Sequence, residues 1–197
     1  LSEENGYKDR IIKDTILFQH QLFQELKSRT KENEQSIPIK RDNYYYYSRS
    51  VRGKDYNIYC RKKNSMKGDE EVLLDMNELA KDYKYISLAG FVTSPDHNQL
   101  AYSIDYTGGG KSSVFFKDLQ TGKVTSDSIY RVASFQWAND NKTLFYTTRD
   151  TTNRINKLFK HEKGTSRKKD ELIYDAIDST ENINIYKTSS KKYLFYY

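Results

Sequence analysis

Two aspartates stand 44 residues apart in near-identical settings, and paired carboxylates are the first thing to test for acid–base chemistry. They are Asp96 in Phe91-Val-Thr-Ser-Pro-Asp96-His-Asn-Gln-Leu100 and Asp140 in Phe135-Gln-Trp-Ala-Asn-Asp140-Asn-Lys-Thr-Leu144. Both follow a short apolar run and precede an alternating apolar strand. A carboxylate there accepts backbone N–H bonds and fixes a turn, so these aspartates are read as turn residues and not as a catalytic pair. The residue after each must tolerate a left-handed backbone, which suits Asn141 better than His97. The three histidines, His20, His97 and His161, lack metal-ligand spacing and read as surface or strand-end residues. The sequence contains no G-x-S-x-G, H-E-x-x-H or C-x-x-C motif. Gly108-Gly-Gly-Lys111 lacks the rest of a phosphate loop, and Tyr44–Tyr47 could stack bases but fits ordinary strand packing better. No catalytic residue, metal site or cofactor is expected.

The elements that carry these residues repeat. Leu100 and Leu144 are also 44 residues apart, and each copy holds several strands, the signature of β-propeller blades. The reading is a mainly β chain, an incomplete propeller, preceded by an N-terminal α-helical segment. Residues 1–35 read as helix, with Ile12, Ile16, Phe23 and Leu26 forming an apolar stripe beside Leu22. Pro38 follows the helical segment, which is assigned to 1–36. Residues 37–197 form blades, with strand sets at about 40–82, 86–130, 133–178 and 183–197. The first set is expected to have three strands, the next two four each, and the last a half blade. What is present cannot close a ring, and the opening Leu-Ser-Glu-Glu-Asn suggests a chain cut from something longer.

Composition narrows the partners. The 33 basic and 27 acidic residues give a net charge of +6 but are interspersed, which argues against nucleic acid. No apolar run is long enough to span a membrane. The single Cys60 excludes an intrachain disulfide and fits a reducing compartment.

Eight stretches together resemble the prolyl oligopeptidase family of serine peptidases, within it oligopeptidase B. They are Tyr44-Tyr-Tyr-Tyr-Ser-Arg, Tyr56-Asn-Ile-Tyr-Cys-Arg, Glu71-Val-Leu-Leu-Asp-Met-Asn, Ser94-Pro-Asp, Lys117-Asp-Leu-Gln-Thr-Gly, Trp137-Ala-Asn-Asp, His161-Glu-Lys-Gly-Thr and Lys187-Thr-Ser-Ser-Lys, after a helix Gln21–Lys31. The resemblance implies a cytoplasmic enzyme that cleaves short peptides after Lys or Arg. It implies an α/β-hydrolase domain capped by a seven-bladed propeller that gates access to it. The family's Ser, Asp and His lie in that C-terminal hydrolase domain, and no position here matches them, so this chain alone should be inactive. The N-terminal segment of the family packs on the hydrolase domain, which accounts for the stripe. After Asp150 the family usually has an acidic residue and then Arg-Pro; here the chain reads Thr151-Thr-Asn-Arg154-Ile155. That loop faces the domain interface in relatives, making Asp150 and Arg154 the substrate-channel or interface candidates. A solvated surface turn is the competing reading. The alternative for the whole chain is a stand-alone protein-interaction module without enzymatic activity.

Overall fold

The computed structural model describes residues 1–178 and 180–197, and these form two compact units, Leu1–Val72 and Leu73–Tyr197. The first unit opens with α1 (Ser2–Ile12) and α2 (Ile16–Arg29), joined by a 3-10 turn at Lys13–Thr15. The continuous helix expected over 1–35 is therefore broken and shorter. Thr15 explains the break, because its hydroxyl donates to the Ile12 carbonyl at 2.7 Å and so competes with the helical ladder. Beyond Arg29 the chain is held by β-type contacts instead. Ser36 N–H donates to the Ser48 carbonyl, and the Ser50 hydroxyl donates to that of Glu32. Neither helix buries any residue: Ile16, Phe23 and Leu26 of the stripe are each more than half exposed.

The strands follow as antiparallel meanders. The first sheet runs β1 (Ile39–Arg41), β2 (Tyr44–Arg49), β3 (Ile58–Lys63) and β4 (Glu70–Asp75), in that order. It has four strands, not the three expected; β1 is three exposed residues with no alternating pattern, so periodicity could not reveal it. In the second unit, α3 (Met76–Ala80) is capped by Asp75, whose carboxylate accepts from Asn77 N–H at 2.9 Å.

Next come β5 (Ser87–Thr93), β6 (Gln99–Asp105), β7 (Ser113–Asp118) and β8 (Val124–Tyr130). The third sheet holds β9 (Val132–Trp137), β10 (Thr143–Arg149), β11 (Ile155–Glu162) and β12 (Glu171–Asp175). A two-stranded sheet, β13 (Ile185–Lys187) and β14 (Leu194–Tyr196), ends the chain. Consecutive meanders of this kind are the blades of a partial propeller.

The repeat is visible in backbone as well as sequence. A residue with φ near +60° sits between the first two strands of every sheet: Asp42, His97, Asn141 and Lys191. His97 adopts this conformation despite its lower tolerance, because the turn around it is bonded on both sides. Ser94 N–H donates to the Gln99 carbonyl, and Asp96 accepts from Ser94 Oγ at 2.5 Å and Asn98 N–H at 3.1 Å. Asp140 accepts from the N–H groups of Lys142 and Thr143 and from the Thr143 hydroxyl. The two turns also touch: Asp96 N–H donates to the Asn141 side chain at 2.9 Å.

The core of the second unit fills the space between its two four-stranded blades. Ala101, Val114, Phe116 and Ile129 come from one, Val132, Trp137, Leu144 and Tyr146 from the other. Trp137 is its largest member; its indole N–H donates to the Val92 carbonyl at 3.2 Å, and Phe116 meets it edge-on. The buried indole therefore adds a satisfied polar contact to its apolar area.

Candidate functional site

Asp150 and Arg154 lie in the loop joining β10 to β11, the hairpin connection of the third blade. Strand alternation ends at Arg149, where the ladder slips register, and the chain turns back through a residue with φ +68°, Asn153. Asp150 organises this loop. One carboxylate oxygen accepts from Thr152 N–H at 2.8 Å, the Thr152 hydroxyl at 2.7 Å and Arg154 N–H at 3.0 Å. The other accepts from Arg154 Nε at 3.2 Å. The Thr152 hydroxyl outweighs partial desolvation and, with the two N–H groups and the guanidinium, holds the carboxyl at about 2. Asp150 is thus a fixed anion whose acceptor sites are occupied within the loop.

Two further arginines brace residues 149–154, and Arg154 ties the loop outward. Arg131, which links β8 to β9, donates to the carbonyls of Arg149 and Asp150. Arg149 reaches the Asn153 carbonyl at 3.1 Å, and Arg154 reaches that of Asp178 at 2.5 Å. Register places the Tyr106–Gly110 loop at the corresponding end of the second blade. There Asp105 is buried; against desolvation, N–H donation from Thr107, Gly108 and Gly110 and the Thr107 hydroxyl still lowers its pKa. Both hairpins therefore use the same device, a carboxylate at the strand end that gathers the loop's N–H groups.

His161 departs from expectation. It stands near the end of β11 but is fully buried, with Nδ1 2.7 Å from Asp170 and Nε2 2.9 Å from Asp127. Its ring stacks on Phe116 at 5.7 Å, the Tyr146 hydroxyl donates to Asp170 at 2.6 Å, and Gly164 N–H donates to Asp127 at 2.9 Å. Burial first, then the bond to Asp170, pushes the Tyr146 phenol up. Because Asp127 belongs to β8 and His161 to β11, the imidazole bolts neighbouring blades together. Sequence reading missed it because the two carboxylates lie 34 and 9 residues away. The only local signal was a histidine at an inward position of an alternating strand. His20 is exposed on α2, and among the described residues no group of three or more His, Cys, Asp or Glu could hold a metal ion.

Meander blades, repeated left-handed turns and a blade-to-blade core define a propeller module. The chain matches, over residues 1–197, the family described as prolyl oligopeptidase, N-terminal beta-propeller domain, and it belongs to that family of serine-peptidase modules. Among curated relatives it is 33% identical over 205 residues to Protease 2 from Moraxella lacunata, covering 100% of this chain and 30% of that protein. It is 29% identical to dipeptidyl aminopeptidase BI from Pseudoxanthomonas mexicana, covering 98% of this chain and 29% of that one.

Solved structures agree. Oligopeptidase B from Leishmania major superposes with a TM-score of 0.92 at 27% identity, over 99% of this chain and 28% of that one. Oligopeptidase B from Trypanosoma brucei, closed and covalently bound to antipain, gives 0.88 at 26% identity over 98% and 28%. The chain spans less than a third of the length of these relatives. No helix among the described residues is long and apolar enough to cross a membrane.

Proposed function

We propose that this chain is the propeller portion of an oligopeptidase B-like serine endopeptidase that cleaves short peptides after Lys or Arg. The observation that carries the reading is the superposition on oligopeptidase B across 99% of the chain, N-terminal helices included. The propeller contributes the gate and the chemistry belongs to a C-terminal α/β-hydrolase domain. A Ser nucleophile, His base and orienting Asp there would perform acyl transfer. The uncovered stripe Ile16, Leu22, Phe23 and Leu26 is the surface that meets that domain; exposed apolar area of this kind is stabilised only by a partner. The 149–154 loop, with Asp150 and Arg154 fixed on each other, is a rigid lip of the substrate channel. A fully buried Cys60 thiol fits a cytoplasmic enzyme.

The test uses a fluorogenic dipeptide bearing two arginines. The full-length protein that contains this chain is expected to hydrolyse it in a reaction stopped by a serine-directed reagent, and residues 1–197 alone are expected not to. Release of dipeptides from free N-termini, with no internal cleavage after Arg, would replace this reading with the activity named for the Pseudoxanthomonas relative.

A further inference from the structure

One serine hydroxyl joins the first strand of the third blade to the sheet that follows. Ser134 lies on β9, where the β9–β10 ladder slips register between Tyr146 and Thr148. Its Oγ is 2.8 Å from Thr147 Oγ1 and accepts from Ile185 N–H of β13 at 3.3 Å. A single oxygen therefore serves a neighbouring strand of its own blade and the first strand of the next sheet.

The second blade has the same backbone and a different side chain. The 44-residue spacing carries Ser134 onto Gly90 and Thr147 onto Ser103. Gly90 and Ser103 pair across β5 and β6, next to the same register slip. Ser103 is 1% exposed, and its hydroxyl makes no hydrogen bond among the described residues. It shares a face of β6 with Ala101, a member of the core between the two blades, so the hydroxyl is directed toward the third blade. Gly90 has no positive φ, so its conformation does not call for glycine. A Cβ placed on it would meet nothing within 4 Å. The glycine thus leaves room beside a buried, unpaired hydroxyl.

A second unpaired group meets the same place. Ala138 N–H donates to the Thr143 carbonyl, and bonded pairs alternate along an antiparallel ladder, so Phe135 N–H points away from β10. The same count from Thr188 N–H, which donates to the Tyr193 carbonyl, turns Ile185 N–H away from β14, and Ile185 is the donor to Ser134. Phe135 stands nine residues before Leu144, as Ile185 does before Leu194, so Phe135 N–H is the equivalent donor. It has no acceptor among the described residues.

We propose that the niche over Gly90 binds one water molecule, which stands where the Ser134 hydroxyl stands in the third blade. The water accepts from Phe135 N–H and shares a hydrogen bond with the Ser103 hydroxyl, each at about 2.7–3.2 Å. Buried waters serve polar groups that lack a protein partner, and this one links the first strand of the third blade to the second blade.

The test is a high-resolution crystal structure of the full-length protein, with two variants. An ordered water bridging Ser103 Oγ and Phe135 N–H is expected. In Gly90→Ser the new hydroxyl should take its position and displace it. Ser103→Ala adds no volume; it should lower the melting temperature of the full-length protein by about 1–2 °C, because it strips a hydrogen bond from the bound water. Removing a hydroxyl that truly had no partner would instead leave the melting temperature unchanged or raise it. That result, a well-ordered niche without a water peak, or a Gly90→Ser structure that keeps the water and turns its hydroxyl elsewhere would each overturn the proposal.

Discussion

Asp150 and His161 both gather hydrogen bonds around a single side chain, and the surroundings make them opposites. Asp150 accepts four bonds in an exposed hairpin loop, where water competes for every donor. His161 has two carboxylate partners but is fully buried, with Asp170 at 2% exposure behind it. Hydrogen-bond number is therefore a poor guide to stability here. Removing a partner in water exchanges one bond for another, whereas removing one from the blade interface leaves charge without compensation. The loop can diverge at little thermodynamic cost, and the tie cannot.

The largest effect that would break this contrast is His161→Leu. It should lower the unfolding free energy by about 3–5 kcal/mol, because two buried carboxylates lose their shared partner. Chemical denaturation measures this, and a change comparable to that of a surface substitution would refute the role of the tie. Tyr146→Phe is next. It removes only the phenol bond to Asp170 and should cost about 1–2 kcal/mol. Asn141→Ala should be smaller again, about 1 kcal/mol, since it deletes the bond that links the turns of the two blades at Asp96. Asp150→Asn should cost less again, and only above about pH 4 where the carboxylate is ionised, while altering the full-length enzyme's KM for peptides more than its kcat.

The smallest and sharpest effect is spectroscopic. The Asp150 carboxyl should titrate at about 2 in a carbon-detected NMR experiment, and Thr152→Val should raise that midpoint, since the Thr152 hydroxyl is the main cause of the depression. The sign follows from linkage. A folded pKa below the ordinary value of 3.8 gives a contribution that is complete above about pH 4 and fades as pH falls toward 2.

Much of the propeller was legible in sequence because its determinants are local. The Asp96 and Asp140 turns repeat at a fixed spacing, and β6 and β10 alternate visibly, so blade order and most strand positions could be read directly. What was hidden depends on partners distant in the chain. β1 is recognisable only by its register with Tyr44–Tyr46. The helix break at Lys13–Thr15 comes from one hydroxyl, and His161 acquires its meaning from Asp127, 34 residues earlier. At the candidate loop, the family resemblance singled out Asp150 and Arg154, and residue types alone did not. They gave no sign that Arg131 and Arg149 brace the same turn, because those contacts run to backbone carbonyls, which carry no sequence signature.

The gating role is tested most directly by substrate length. For the full-length protein, kcat/KM should be compared between a peptide of about ten residues with one internal arginine and the same ten residues set in a surface loop of a stable folded domain. A gate made of rigid blades predicts efficient cleavage of the short peptide and a loss of at least a hundredfold for the domain-borne site. Equal values would contradict it.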